Sequence, residues 1–167
     1  MFQVNQNLDM NENYQNLFAT ISSHLDDEPD LIANLANIAA FLYHTLPDLN
    51  WAGFYIVRAE ELVLGPFVGK PACTRIEIGN GVCGTAAAER HVVNVPDVHA
   101  FPGHIACDSE SNSEIVLPLY RGGEVFGVLD IDSPVRERFS ELDEDYLTKI
   151  AGRISEWLGC GAGDVRS

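Results

Sequence analysis

Two sets of residues in this sequence have the types and spacing to do chemistry. The first is the thiols Cys73, Cys83 and Cys107, separated by 10 and 24 residues. That spacing fits neither a zinc motif nor a C-x-x-C redox motif. A thiolate forms where a cation, a helix N-terminus or a metal stabilises it. Cys83 follows Gly79-Asn80-Gly81 at the start of an expected helix, where the dipole favours thiolate. Cys107 follows His104 by three residues in the polar stretch from Gly103 to Ser109, and Cys73 has Lys70 and Arg75 nearby. Most single cysteines are inert, buried, small apolar residues. A cysteine in a polar loop is a different case, because burial there needs no thiol, so this set is a candidate for thiol redox chemistry. Cys160 lies beyond the last expected helix and reads as incidental.

The second set is Glu114, Asp130 and Asp132. Along residues 125–131, strand alternation puts Val125, Gly127, Leu129 and Ile131 on one face and Phe126, Val128, Asp130 and Asp132 on the other. Two aspartates two residues apart lie ~7 Å from each other on one strand face. Aspartate is depleted in strands. A solvated strand end accounts for Asp132, which precedes Ser133-Pro134, better than for Asp130, which lies between Leu129 and Ile131. Glu114 opens the neighbouring strand. Clustered carboxylates suit a cationic ligand group, a metal or proton transfer. Trp51 and Tyr55 share a strand face and read as core packing or as an aromatic wall for a small ligand. His91, Asp97, His99, His104, Cys107 and Asp108 match no standard zinc pattern, so no metal and no cofactor is expected.

Helices at both ends and strands between them must position these groups. Tyr14, Leu17, Phe18, Ile21 and Leu25 describe one face of a helix. Asp30 caps a second, carried by Leu31, Leu35, Ile38, Ala39, Leu42 and Leu46 and stopped by Pro47. Strands are expected over 51–57, 62–67, 92–95, 115–120 and 125–131, with a short helix over 82–90 and a long loop from Pro96 to about Ser113. Arg121-Gly122-Gly123-Glu124 signals a hairpin. Ser140 with Asp143 caps a last helix whose apolar face is Leu142, Tyr146, Leu147, Ile150, Ile154, Trp157 and Leu158. This is an α+β plan.

The composition sets outer bounds. In 167 residues there are 10 Lys plus Arg against 25 Asp plus Glu, a formal charge of −15. Such a chain repels phosphate backbones and anionic lipid, so neither nucleic acid nor a membrane surface is an expected partner. No Lys or Arg precedes Arg58, which excludes a basic targeting start. No apolar run approaches the ~18 residues of a membrane span. The expected address is the cytoplasm, where cysteines are kept reduced. The length suits a single domain over 1–167, with residues 1–28 as a helical arm.

Six stretches carry a resemblance: Trp51-Ala-Gly-Phe-Tyr55, Gly81-Val-Cys-Gly84, Val95-Pro-Asp97, His104-Ile-Ala-Cys-Asp-Ser109, Ser113-Glu-Ile-Val116 and Gly127-Val-Leu-Asp-Ile-Asp132. Together they resemble the GAF-domain free methionine-(R)-sulfoxide reductases, from the first helix to Trp157. The resemblance implies a central antiparallel sheet of about six strands with N- and C-terminal helices packed on it, and a homodimer formed through helices. It implies Cys107 as the catalytic thiol, Cys73 as the usual resolving thiol and Cys83 as the third position. That reverses the helix-start ranking, which measures thiolate tendency and not substrate geometry. It places Trp51 and Tyr55 around the substrate's methyl-thioether end, and Glu114, Asp130 and Asp132 at its polar groups. Glu114 or Asp132 becomes the proton donor, and thioredoxin the reductant. The competing reading is a non-catalytic GAF module that senses a small ligand. Such a module needs neither Cys73 with Cys107 nor an acidic pocket.

Overall fold

A computed structural model describes residues 8–105 and 108–161. Four α-helices and six strands follow one another as α1 (Met10–Asp27), α2 (Leu31–Thr45), β1 (Trp51–Arg58), β2 (Glu61–Gly69), β3 (Arg75–Glu77), α3 (Gly81–Glu89), β4 (Val93–Val95), β5 (Ser113–Arg121), β6 (Glu124–Ser133) and α4 (Glu141–Gly159), with a 3-10 turn at Val98–Ala100. The strands form one sheet in the order β3-β2-β1-β6-β5-β4. Every neighbouring pair is antiparallel. This is the expected α+β architecture.

The helix ends are written into the sequence. Asp9 accepts from the Glu12 N–H while Glu12 accepts from the Asp9 N–H, a capping box that satisfies donors the first turn leaves free. Asp30 caps α2 through the Ala33 N–H. Ser140 and Asp143 form a second capping box on α4. Each such cap contributes about 1 kcal/mol. The apolar stripes of α1, α2 and α4, including Tyr14, Ile21, Leu35, Ile38, Ile150 and Ile154, bury against Phe54, Leu117 and Leu129 on one face of the sheet. Each fully buried side chain of this size contributes roughly 1.5–3 kcal/mol. The opposite face carries Trp51, Tyr55, Val116 and Val128 and is covered by Val82, Cys83, Ala86 and Ala87 of α3.

Three local expectations change. The strand β3 has one buried residue, Ile76, between the exposed Arg75 and Glu77, so three residues leave too little alternation to read. On β6, Leu119 pairs with Gly127 but Tyr120 pairs with Val125, leaving Phe126 as an extra residue. This bulge reverses the faces on either side of it. Phe126 packs with the helix-side core and Val125 with the opposite layer, the reverse of simple alternation. On α4, Leu142 is exposed and its neighbour Asp143 is buried. Asp143 accepts from the Tyr14 hydroxyl at 2.6 Å and from Arg138 at 3.0 Å, so a polar network joins α1 to the start of α4.

Candidate active site

The acid set and the aromatic wall meet because of strand register. Trp51 on β1 is paired with Asp132 on β6, and Asp132 with Glu114 on β5. Two residue pairs further along, Gly53, Asp130 and Val116 form the next row on the same face. Alternation points Trp51, Tyr55, Asp130, Asp132 and Glu114 away from the helices, toward α3. All five line one pocket, which α3 closes with Cys83 and the loop closes with His104 and Asp108.

The wall is aromatic and rigid. Trp51 stacks on Tyr55 at a centroid distance of 6.0 Å and on Phe67 at 5.3 Å. The Trp51 indole N–H donates to the Lys70 carbonyl at 3.1 Å, and the Tyr55 hydroxyl donates to the Cys73 carbonyl at 2.8 Å. Both polar tips are thus used, and the two rings line the pocket. Gly53 makes the stacking possible: a Cβ there would lie 2.3 Å from Cβ of Phe67 and 2.7 Å from Cη2 of Trp51.

The acids are held against their preference for water. Glu114 is 7% exposed and Asp130 6% exposed. Burial first, then the charges of Asp130 and Asp132, pushes the Glu114 carboxyl well above its ordinary range. Burial pushes Asp130 up to about 6, although hydrogen bonding with Glu114 and Cys83 pulls the other way. Asp132 keeps some surface at the pocket opening. It is nonetheless raised well above its usual value by desolvation and by the charges of Asp130 and Asp108. Three carboxyls so close cannot all ionise, and the cluster shares retained protons. The Asp130 Oδ1 atom is buried and has no hydrogen-bond partner among the described residues. The arrangement can therefore give up a proton and can also receive a cationic group.

The third position of the thiol set differs from its expectation. Cys83 lies inside α3 and is 4% exposed. Its thiol donates to Glu114 Oε1 at 3.8 Å. Burial, followed by the Asp130 and Glu114 charges, pushes this thiol well up, so the helix-start argument for a thiolate fails here. The dipole's contribution is small beside desolvation next to carboxylates. Cys73 is half-buried and disulfide-bonded. Cys107 lies outside the described residues. Cys160 is exposed at the end of α4.

The sequence reading missed some residues that shape the pocket. Phe67 backs Trp51. Lys70, noted as a cation near Cys73, instead forms an ion pair with Glu110 of the long loop. Asn50 donates to Asp108 at 3.1 Å and to Ser111 at 2.9 Å, tying that loop to the start of β1. His104 Nε2 stands 4.0 Å from Glu114 Oε2, and burial lowers its pKa. The polar loop set splits: His104 and Asp108 line the pocket, whereas His91 pairs with Glu89 and His99 contacts Asn112.

A curled antiparallel sheet with helices on one face and a pocket under a short helix on the other defines a GAF domain, and the GAF family model matches residues 30–156. Within that fold, the chain belongs to the family of free methionine-R-sulfoxide reductases. It is 50% identical to the free methionine-R-sulfoxide reductase of Escherichia coli, over 88% of this chain and 89% of that protein. It is 55% identical to protein YtsP of Bacillus subtilis, over 95% of this chain and 99% of that one. The X-ray structure of the free methionine-R-sulfoxide reductase of Neisseria meningitidis in complex with its substrate superposes with a TM-score of 0.90 at 43% identity, covering 97% of this chain and 99% of that chain.

Proposed function

We propose that the protein reduces free L-methionine-(R)-sulfoxide to methionine. The observation that carries this reading is the acid cluster of buried Glu114 and Asp130 with half-buried Asp132, facing the Trp51–Tyr55 wall, with one Asp130 oxygen left open. An apolar wall beside buried carboxylates suits a methyl-thioether joined to an α-ammonium. A peptide-bound methionine lacks that ammonium and would leave the carboxylates unpaired, which accounts for preference for the free amino acid.

In this mechanism the Cys107 thiolate attacks the sulfoxide sulfur. Glu114 or Asp132, kept protonated by burial and by its neighbours, gives its proton to the sulfoxide oxygen. The protonated oxygen then passes from the substrate sulfur to the Cys107 sulfur as the sulfoxide S–O bond and the transient S–S bond break, so methionine departs and Cys107 is left as a sulfenic acid. The Cys73 thiol attacks that sulfur, the oxygen leaves as water, and a disulfide joins the two residues. The substrate has gained two electrons and the two thiols have lost them. A thioredoxin dithiol then returns the enzyme to its reduced state. The disulfide at Cys73 supports this sequence over the sensing-module reading, which has no use for one. Cys83 serves as a proton-bearing neighbour of Glu114 or as an alternative resolving thiol. The reading carries with it a homodimer formed through the helices and a cytoplasmic setting. Among the described residues no helix is long and apolar enough to cross a membrane.

The test is thioredoxin-coupled NADPH oxidation with free methionine-(R)-sulfoxide. Turnover by the wild type, lost in Cys107→Ser, is expected. No turnover by the wild type, or undiminished turnover in that variant, would reject the reading.

A further inference from the structure

The pocket brings together a donor set that sequence spacing conceals. Cys83 Sγ, one oxygen of Glu114 and one of Asp130 all lie within 4.8 Å of one another, and all three residues are buried. They come from α3, β5 and β6 and share no zinc-motif spacing. The Cys83 Sγ to Glu114 Oε1 distance is 3.8 Å. A tetrahedral zinc ion with ordinary Zn–S and Zn–O bonds sets its sulfur and oxygen ligands about 3.5 Å apart. Small side-chain shifts would therefore close three bonds on one ion. The second observation is the buried Asp130 Oδ1, which has no hydrogen-bond partner among the described residues. An acceptor kept from both water and donors in this way is oriented for a cation.

We infer that the reduced pocket binds a thiophilic divalent cation, Zn²⁺ or Cd²⁺, through Cys83, Glu114 and Asp130. One thiolate and two carboxylates suit such ions, with water in the fourth position. The hard cations Ca²⁺ and Mg²⁺ require more oxygen ligands than this pocket supplies. Binding forms one metal–sulfur and two metal–oxygen bonds. It releases the thiol proton and any carboxyl proton to solvent, and no electrons move. The ion occupies the space proposed above for the substrate ammonium, so metal and substrate exclude each other. That exclusion rests on the reductase reading, whereas the metal site itself does not.

The test uses the full chain with Cys73, Cys107 and Cys160 replaced by serine, leaving Cys83 as the sole thiol. Titration with cadmium chloride, followed by the ultraviolet thiolate-to-metal band, should saturate at one equivalent. Zinc chloride should displace the band. Adding Cys83→Ser should abolish it, and adding Asp130→Asn should weaken cadmium binding about tenfold or more, with circular dichroism unchanged. A missing band, or one indifferent to Asp130→Asn in a folded variant, would overturn the metal site. Free methionine-(R)-sulfoxide should also displace cadmium. A band that requires Cys83 and Asp130 but resists that displacement would uphold the metal site and count against the proposed substrate.

Discussion

Trp51 and Asp132 are register partners across the β1–β6 ladder, and this one pairing sets the aromatic wall against the acid cluster. Through Asp132 the same row continues to Glu114, so three strands present one functional line. The facing of the wall and the acids is therefore a property of the sheet, while α3 and the loop close the pocket over them. Removing a member of that line should change chemistry more than fold.

For Glu114→Gln, kcat/KM for free methionine-(R)-sulfoxide should fall by about 10²–10⁴ if Glu114 is the proton donor. In the wild type, the proton-donor limb of the pH–rate profile should lie above the ordinary carboxylate range, because burial raises this group. Activity should decline as pH rises through that limb. Glu114→Gln should erase the limb; its persistence would assign the proton to Asp132.

Stability of the ligand-free protein should fall as pH rises from about 4 to about 6. Burial pushes Asp130 up to about 6 in the folded chain, against 3.8 for an unperturbed aspartate. A raised folded pKa gives stability that is complete below the unfolded value and is lost as pH climbs through the folded one. Asp130 is only 6% exposed, so solvent screens little of this, and the loss is about 3 kcal/mol. Chemical denaturation of Asp130→Asn across this range should show a flatter profile and a variant more stable than the wild type above pH ~7.

Cys73→Ser should release one methionine per chain and stall, because the sulfenic acid then has no usual resolving partner. Quantifying methionine in a single-turnover experiment checks this. Recycling by thioredoxin at the wild-type rate would move the resolving role to Cys83.

Gly53→Ala should raise KM more than it lowers kcat. Its Cβ would fall 2.7 Å from Cη2 of Trp51 and 2.3 Å from Cβ of Phe67, so the indole must tilt. Overpacking of this kind costs about 1–3 kcal/mol, readable as a lower denaturation midpoint.

Asp143→Asn should destabilise the fold by about 3–5 kcal/mol, since it leaves the largely buried Arg138 unpaired. Burial raises the Asp143 carboxyl, but hydrogen bonds from Tyr14 and Ser140 and the Arg138 charge outweigh it, and its pKa is lowered. A lowered folded pKa gives stability present above the unfolded value and lost as pH falls through the folded one. The wild type should therefore lose this contribution in acid below about pH 4, while the variant has none to lose; acid unfolding monitored by tryptophan fluorescence reports the difference.

The sequence declared those features that depend on neighbours in the chain. Asp30 and Ser140 announce helix starts through the N–H groups three residues on. Asp130 and Asp132 are conspicuous because strands rarely carry aspartate. Features that depend on another strand stayed hidden. The Phe126 bulge is visible only when Tyr120 is seen to pair with Val125. The buried state of Asp143 depends on Tyr14, at the far end of the chain. The environment of the Cys83 thiol stayed hidden because Glu114 on β5 and Asp130 on β6 set it, against the pull of the helix start.

The strand register carries one more consequence, for folding itself. A slip of β6 by one residue would exchange its two faces. Asp130 and Asp132 would then press into the apolar layer beneath α4, among Leu117, Ile150 and Ile154. Unpaired carboxylates there would cost several kcal/mol each. The acids that make the pocket thus also proofread the sheet: a chain that assembles out of step is penalised by the same residues that would have served it, and only the correctly threaded molecule escapes the penalty.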